Sequence, residues 1–167
     1  MFLFYLLSEW MVVIMLACYF EDAVVGYVTQ AHSYKVTEDD IVNFATSWDP
    51  MPFHIDPIKA EDSISGGITA SGAHIYAIFV HLTHKQARKM AAIAALGIKN
   101  LKFVNPVRPG DMIHLEGECI AARESSSKKD RGIVTFHFKL INQNGELVLE
   151  LIQFLMLEKK VNITCSQ

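Results

Sequence analysis

Cysteine is scarce in this sequence of 167 residues, and an excess of positive charge is absent. The three cysteines, Cys18, Cys119 and Cys165, are odd in number, widely spaced and without a CxxC pair. They indicate neither a disulfide framework nor a zinc site. The formal net charge of −3 gives no electrostatic basis for binding nucleic acid. We therefore expect a protein of the reducing cytoplasm that does not bind nucleic acid.

The composition is that of a folded chain. Hydrophobic residues make up 51% and charged residues 20%, which excludes an intrinsically disordered protein. A mass of 18.8 kDa suits one domain with a sizeable core. We find no internal repeat and no low-complexity linker, so the sequence predicts one α+β unit.

The first twenty residues, MFLFYLLSEWMVVIMLACYF, are apolar except for Ser8 and Glu9. Their length nearly matches a membrane span, but Glu9 near the middle is costly in hydrocarbon, and the features of a signal peptide are lacking. Three interpretations remain for residues 1–18: a membrane anchor through residues 1–20, an extra buried or partner-facing segment, or sequence translated from a mistaken start. We favour the last, because two later methionines precede YFEDAVVG.

Capping residues and prolines define the next segment. Residues 27–36 are predicted as a strand, and Thr37 with Asp40 forms a capping-box pattern at the start of a helix. The stretch WDPMPFHID follows, and its prolines restrict their own φ and the geometry of the residues before them. We therefore predict a rigid, non-helical strap that holds Asp49 and His54 still.

A long apolar helix and several strands complete the prediction. From Ala73 the helix is apolar on every face, which predicts burial all round. A short strand IKNLKFV and three further strands follow, at 112–121, 133–141 and 147–157. Four or five antiparallel strands wrapped around one central helix is the arrangement that this pattern favours.

Alternation assigns inner faces to two of these strands. In residues 112–121, one face is formed by Ile113, Leu115, Cys119 and Ala121. In residues 133–141 every second residue from Val134 is apolar, and NQNG then supplies the Asn-Gly of a tight hairpin turn. The last strand is apolar on both faces apart from Glu150 and Gln153, which is typical of a central strand.

Three segments, WDPMPFHID, GGITASGAH and FVNPVRPGD, occur in an order and spacing that resemble MaoC-like hydratase/dehydratase domains of the hotdog fold. The resemblance covers about residues 19–158, leaving a tail at 159–167. It implies a single hotdog domain, an antiparallel sheet wrapped around a long central helix, and a homodimer formed by edge-to-edge pairing. The sequence also resembles (R)-specific enoyl-CoA hydratases, and it departs from the family pattern at Met51, where many members carry Asn or Gln.

The resemblance implies catalytic roles for Asp49 and His54, which would hold one water for addition across the α,β double bond of an acyl thioester. It also implies that the backbone N–H of Gly72 meets the thioester carbonyl, with Ser71 beside it. The substrate would be an acyl-CoA or acyl-carrier thioester, and no cofactor is needed. A hotdog thioesterase and a non-catalytic acyl-thioester binding module remain the alternatives.

Simpler interpretations exist for the same residues. An Asp and a His five positions apart are most often joined by a loop hydrogen bond, and a Ser near a helix start is usually a cap. His74, His81 and His84 lie at helical spacing, but no carboxylate joins them in the sequence, so we predict no metal site.

Overall fold

The structure, a computed structural model, describes residues 17–30 and 33–161. The elements in chain order are β1 (Ala17–Cys18), β2 (Val28–Gln30), β3 (Tyr34–Lys35), α1 (Glu38–Trp48), α2 (Pro52–Ile55), α3 (Pro57–Glu61), α4 (Gly72–Thr83), β4 (Lys89–Met90), β5 (Ala92–Phe103), β6 (Met112–Glu124), β7 (Arg131–Ile141) and β8 (Leu147–Glu158). The interpretations of the apolar N-terminal stretch fall mainly on residues 1–16, outside the described part. Within residues 17–30 and 33–161, no helix has both the length and the apolar character needed to cross a membrane.

An antiparallel sheet packs against one central helix. Its strands run in the order β2-β6-β7-β8-β5, and β3 also pairs with β6. Helix α4 contributes Ile75, Ile78, Phe79 and Leu82 to the buried core. The ring of Phe79 meets that of Phe138 on β7 edge-on, at a centroid distance of 5.3 Å. The predicted α+β arrangement is therefore confirmed.

The capping box of α1 forms as predicted. The backbone N–H of Asp40 donates to Thr37 Oγ1 at 3.1 Å, and the N–H of Thr37 donates to Asp40 Oδ2 at 3.0 Å. Two N–H groups that the first turn cannot pair are thus satisfied. Hydrogen bonds from Thr37 and burial act in opposite directions on the Asp40 carboxyl, and its pKa is lowered on balance.

Alternation along β7 is confirmed, because every second residue from Val134 to Leu140 is buried. On β6 the prediction holds for Ile113, Leu115 and Cys119, but it is wrong for Ala121, which is exposed. The pairing of β6 with β7 shifts register between Cys119 and Ala121. Such an irregularity moves the next residue to the opposite face, which a simple alternation pattern cannot anticipate.

Three other predictions need correction. The strand expected at 27–36 is two short strands, β2 and β3, with residues 31–32 outside the described part. The strand expected to be short is β5, twelve residues long, whose pairing with β8 contains register shifts. Burial all round α4 is wrong as well, since Val80 is 37% exposed. Val80 lines a cavity between the helix and the sheet instead of packing into the core.

Gly117 tests the packing of the inner sheet face. A Cβ at this position would collide with the Phe138 ring and would lie 2.9 Å from Thr29 Cγ2. We expect Gly117→Ala to destabilise the fold by about 1–3 kcal/mol, the usual effect of overpacking. Chemical denaturation measures the change, and Gly97→Ala, whose Cβ would meet no atom within 4 Å, is the matched control. Equal stability of the two variants would contradict this packing.

Candidate active site

The segment between α1 and α4 is only partly the non-helical strap that the prolines predict. Asp49 follows the last residue of α1 as its C-cap, in a non-helical conformation with φ −154° and ψ 70°, and its N–H donates to the Ala45 carbonyl at 2.8 Å. Pro52 then opens the one-turn helix α2, so the non-helical prediction is wrong for Pro52–Ile55. Proline suits the first position of a helix, because its missing N–H would be unpaired there.

His54 lies in this turn with its imidazole buried. Its Nδ1 is 2.5 Å from the backbone carbonyl oxygen of Thr69. Because a carbonyl only accepts, Nδ1 carries the proton in this contact, and the neutral ring presents a lone pair at Nε2. A backbone group therefore sets the tautomer of His54.

The free ring nitrogen of His54 faces Asp49. His54 Nε2 lies 3.9 Å from Asp49 Oδ2, and the Asp49 side chain is 39% exposed. This separation is too long for a direct hydrogen bond. The structure thus brings the two predicted residues together with their polar atoms directed to one point, which is partly open to solvent.

Thr69 joins this pair to the start of α4. The N–H of Ala70 donates to the Val107 carbonyl at 2.8 Å and fixes the strand-like segment before the helix. Ser71 is the N-cap, and its Oγ accepts from the N–H of His74 at 3.2 Å. This is the capping role that the simpler interpretation gave to Ser71, and any contact of its hydroxyl with substrate stays a prediction.

Gly72 is the first residue of α4, where a backbone N–H has no partner within the helix. The ring of Phe103, at the end of β5, covers this position. A Cβ on Gly72 would lie 3.0 Å and 3.1 Å from two ring carbons of Phe103. A side chain at this position would crowd the Phe103 ring, a constraint in addition to the approach of substrate that the sequence prediction considered.

The profile of the MaoC like domain family matches residues 21–137. This chain belongs to the MaoC like domain family. A curated relative, the uncharacterized protein YdeM of Bacillus subtilis, is 30% identical over 131 residues, covering 78% of this chain and 92% of YdeM.

Solved structures agree with this assignment. The MaoC-like dehydratase of Rhodospirillum rubrum is 35% identical, with a TM-score of 0.80, over 85% of this chain and 97% of the other. An (R)-hydratase of A. caviae is 27% identical, with a TM-score of 0.66, over 79% and 95% of the two chains. These matches place the chain among the hydratases and dehydratases in general.

The predicted hotdog fold is confirmed. A Mycobacterium tuberculosis protein described as a double hotdog fold matches 91% of this chain and 47% of its own length, with a TM-score of 0.75. Its sequence identity of 17% bears on the fold alone. In this MaoC-like domain the hotdog helix is α4, and Asp49, His54 and Gly72 lie around its N-terminus.

The sequence prediction missed the roles of two positions in the site and left that of a third, Met51, open. Thr69 orients His54 through its carbonyl, and Phe103 covers Gly72. Both lie within or beside the three segments that carry the resemblance, although nothing in their side chains marks these roles. Met51, the N-cap of α2, makes no capping hydrogen bond with its side chain and is 46% exposed.

The three histidines of α4 and its C-cap have separate surroundings. His74 is buried and stacks on Phe44 of α1, with ring centroids 4.6 Å apart. The ring of His81 meets that of Tyr34, while His84 is exposed at the end of the helix. No group of three or more His, Cys, Asp or Glu that could hold a metal occurs within residues 17–30 and 33–161.

The surroundings of His74 predict that folding is sensitive to acid. Burial lowers its pKa from the ordinary 6.5, and the attraction of Asp40 opposes this only in part. Its Nδ1 is buried without a hydrogen-bond partner in the described chain. Since the folded state favours the neutral ring, stability is fully present above the unfolded pKa and is lost as pH falls from about 6.5 through the folded pKa.

We therefore expect the wild-type protein to lose more stability between pH 7.5 and pH 5 than His74→Phe, which keeps an aromatic ring against Phe44 without a titrating group. Urea denaturation at both pH values gives the comparison, and His84→Phe at an exposed position is the control. An identical loss in the wild type and His74→Phe would show that His74 does not carry this sensitivity.

Proposed function

We propose that this protein adds water to, or removes it from, the α,β double bond of an acyl thioester, as its family membership implies in general. The observation that carries the proposal is the 3.9 Å separation of His54 Nε2 and Asp49 Oδ2, with Nδ1 committed to Thr69. A water molecule that donates one hydrogen to each of these acceptors would be bound with its oxygen lone pairs free for attack.

The pair supplies general acid–base chemistry. The water oxygen bonds to the β-carbon of the enoyl thioester while His54 Nε2 takes up one of its protons. The same proton is returned to the α-carbon, so that one water is added in total and no other reactant is consumed. The Asp49 carboxylate stabilises the imidazolium that exists between the two transfers. Dehydration follows the same steps in reverse.

The start of α4 supplies electrostatic stabilisation of the charge that develops during the reaction. Attack at the β-carbon pushes charge onto the thioester oxygen, and a fixed donor must meet that charge. The N–H of Gly72 is suited to this, because it has no partner within the helix and lies at the positive end of the helix dipole. The hydrogen bond from Ala70 to Val107 holds the approach to this donor rigid.

Space for the acyl chain follows α4. A cavity of about 230 Å³ lies at Gly72 and is bounded by Ala70, Ile75 and Phe103. A second cavity of about 400 Å³ begins at Tyr76, one turn further along the helix. We infer that the thioester is bound at the first and the acyl tail at the second. The thiol part of the thioester would be coenzyme A or an acyl carrier, and no cofactor enters the reaction.

We also propose that the protein is a homodimer. Strand β5 forms the edge of the sheet beyond β8 and presents apolar side chains to solvent, with Ile93, Leu96, Ile98 and Phe103 each between 40% and 48% exposed. A long apolar edge strand is a template for pairing with another strand. A second copy paired along β5 would cover this edge next to Phe103 and Gly72.

The dyad is tested by substitution. Asp49→Asn removes the charge, and His54→Ala removes the ring nitrogen, so each should lower kcat for hydration of crotonyl-coenzyme A by about 10²–10⁴-fold. Because both groups act on one water, the double variant should be scarcely slower than either single one. The rate is measured from the loss of absorbance of the conjugated enoyl thioester as it is hydrated.

Matched controls separate catalysis from folding. Asp39→Asn and His114→Ala make the same chemical changes at positions that line neither the dyad nor the cavities, and they should leave kcat unchanged. Thermal unfolding should show that all variants are folded. Near wild-type hydration by both Asp49→Asn and His54→Ala would refute the proposed function.

Light scattering tests the dimer. At micromolar concentration we expect a mass of twice 18.8 kDa. Leu96→Glu, which adds a charge to the exposed edge of β5, should shift the population towards the monomer. Val25→Glu, at a 65% exposed position on a turn, is the control that should not. A wild-type mass of 18.8 kDa would contradict the dimer.

A further inference from the structure

The cavity along the second half of α4 has mostly apolar walls. Tyr76 and Phe79 of the helix form one side, and Phe138 and Leu155 of the sheet form the other. Its volume of about 400 Å³ suits a hydrocarbon chain. Since β5 runs from this cavity to Phe103 at Gly72, the cavity lies along the path that an acyl tail would follow from the thioester.

One buried amide interrupts the apolar wall. Gln153 lies on the same face of β8 as Leu151 and Leu155, is only 8% exposed and lines the cavity. Its side chain makes no hydrogen bond within residues 17–30 and 33–161. The amide lines the cavity and is left free to pair there. An apolar residue of the same size would pack better against a simple alkyl chain, so a free amide at this position favours a ligand with a hydrogen-bonding group of its own.

A second amide lines the same cavity in a fixed orientation. Gln86 is 6% exposed, and its Oε1 accepts from Thr29 Oγ1 at 2.6 Å. Thr29 is itself buried, so the contact holds the amide oxygen in place. The Gln86 NH₂ group consequently remains as a donor, and it has no acceptor in the described chain.

The two amides favour an uncharged ligand. Gln153 can both donate and accept, whereas Gln86 can still donate, so a hydroxyl or carbonyl oxygen could pair with either. A carboxylate would leave its charge among Phe79, Phe138 and Leu155, which is costly without a buried cation. Lys89 and His84, which also line the cavity, are both exposed and so supply no buried cation.

We propose that this cavity selects acyl chains that carry a neutral oxygen, as a hydroxyl or carbonyl group, in the tail beyond the reacting double bond. The proposal rests on the proposed function, because it takes the cavity as the site of the acyl tail. The oxygen would hydrogen-bond to Gln153 and Gln86 while the rest of the tail contacts the aromatic walls.

Binding of saturated thioesters tests this selection without any hydration step. Calorimetry would compare decanoyl-coenzyme A with a series of isomers in which one hydroxyl group is moved along the tail. We expect at least one hydroxylated isomer to bind about tenfold more tightly than the unsubstituted thioester, since a buried polar site rejects a ligand that cannot pair with it. Gln153→Met should remove this preference by binding decanoyl-coenzyme A better and the isomer worse.

Controls make each outcome decisive. Gln143→Met, the same substitution in an exposed hairpin, should keep the preference. If Gln153→Met fails to fold, Thr29→Val takes its place in the test. This substitution releases Gln86 and should weaken binding of the hydroxylated isomer. Equal binding of all isomers, or tightest binding of the ω-carboxylate analogue, would overturn the selection while leaving the hydratase proposal intact. Failure to bind any acyl thioester would overturn both.

Discussion

The candidate site depends on the hydrogen bond from His54 Nδ1 to the Thr69 carbonyl. At 2.5 Å and buried, it commits one ring nitrogen and leaves the other free to face Asp49. A histidine that could rotate or exchange tautomers would offer a lone pair at Nε2 only part of the time. The proposed chemistry therefore depends on a backbone carbonyl that takes no part in it.

Two hydrogen bonds hold the segment that contains Thr69 in place. The N–H of Ala70 donates to the Val107 carbonyl, and the Arg108 guanidinium donates to the carbonyl of Ser65 at the start of the same loop. The segment after β5 thus braces the segment before α4. This link explains why the motif FVNPVRPGD accompanies GGITASGAH although the two are far apart in the sequence.

Local chemistry explains what the sequence could predict. The Thr37 and Asp40 pair, the alternation of β7 and the spacing of Asp49 and His54 all act within a few residues, and each lies where expected. The roles of Thr69 and Phe103 arise from long-range packing, and a backbone carbonyl leaves no mark in the sequence. The length of β5 was underestimated because AIAALG is small and apolar without alternation, and its irregular pairing becomes evident only beside β8. The sequence of α4 is apolar on all sides, and this pattern is the same whether a side of the helix is buried in the core or lines a cavity.

The central claim is that water adds to a carbon–carbon double bond and leaves the thioester intact. Reaction with crotonyl-coenzyme A in water labelled with oxygen-18, followed by mass spectrometry of the products, tests this directly. The account predicts 3-hydroxybutyryl-coenzyme A with one labelled oxygen at the β-hydroxyl group. Label in a free carboxylate together with released coenzyme A would contradict it, because the bound water would then attack the carbonyl as in a thioesterase.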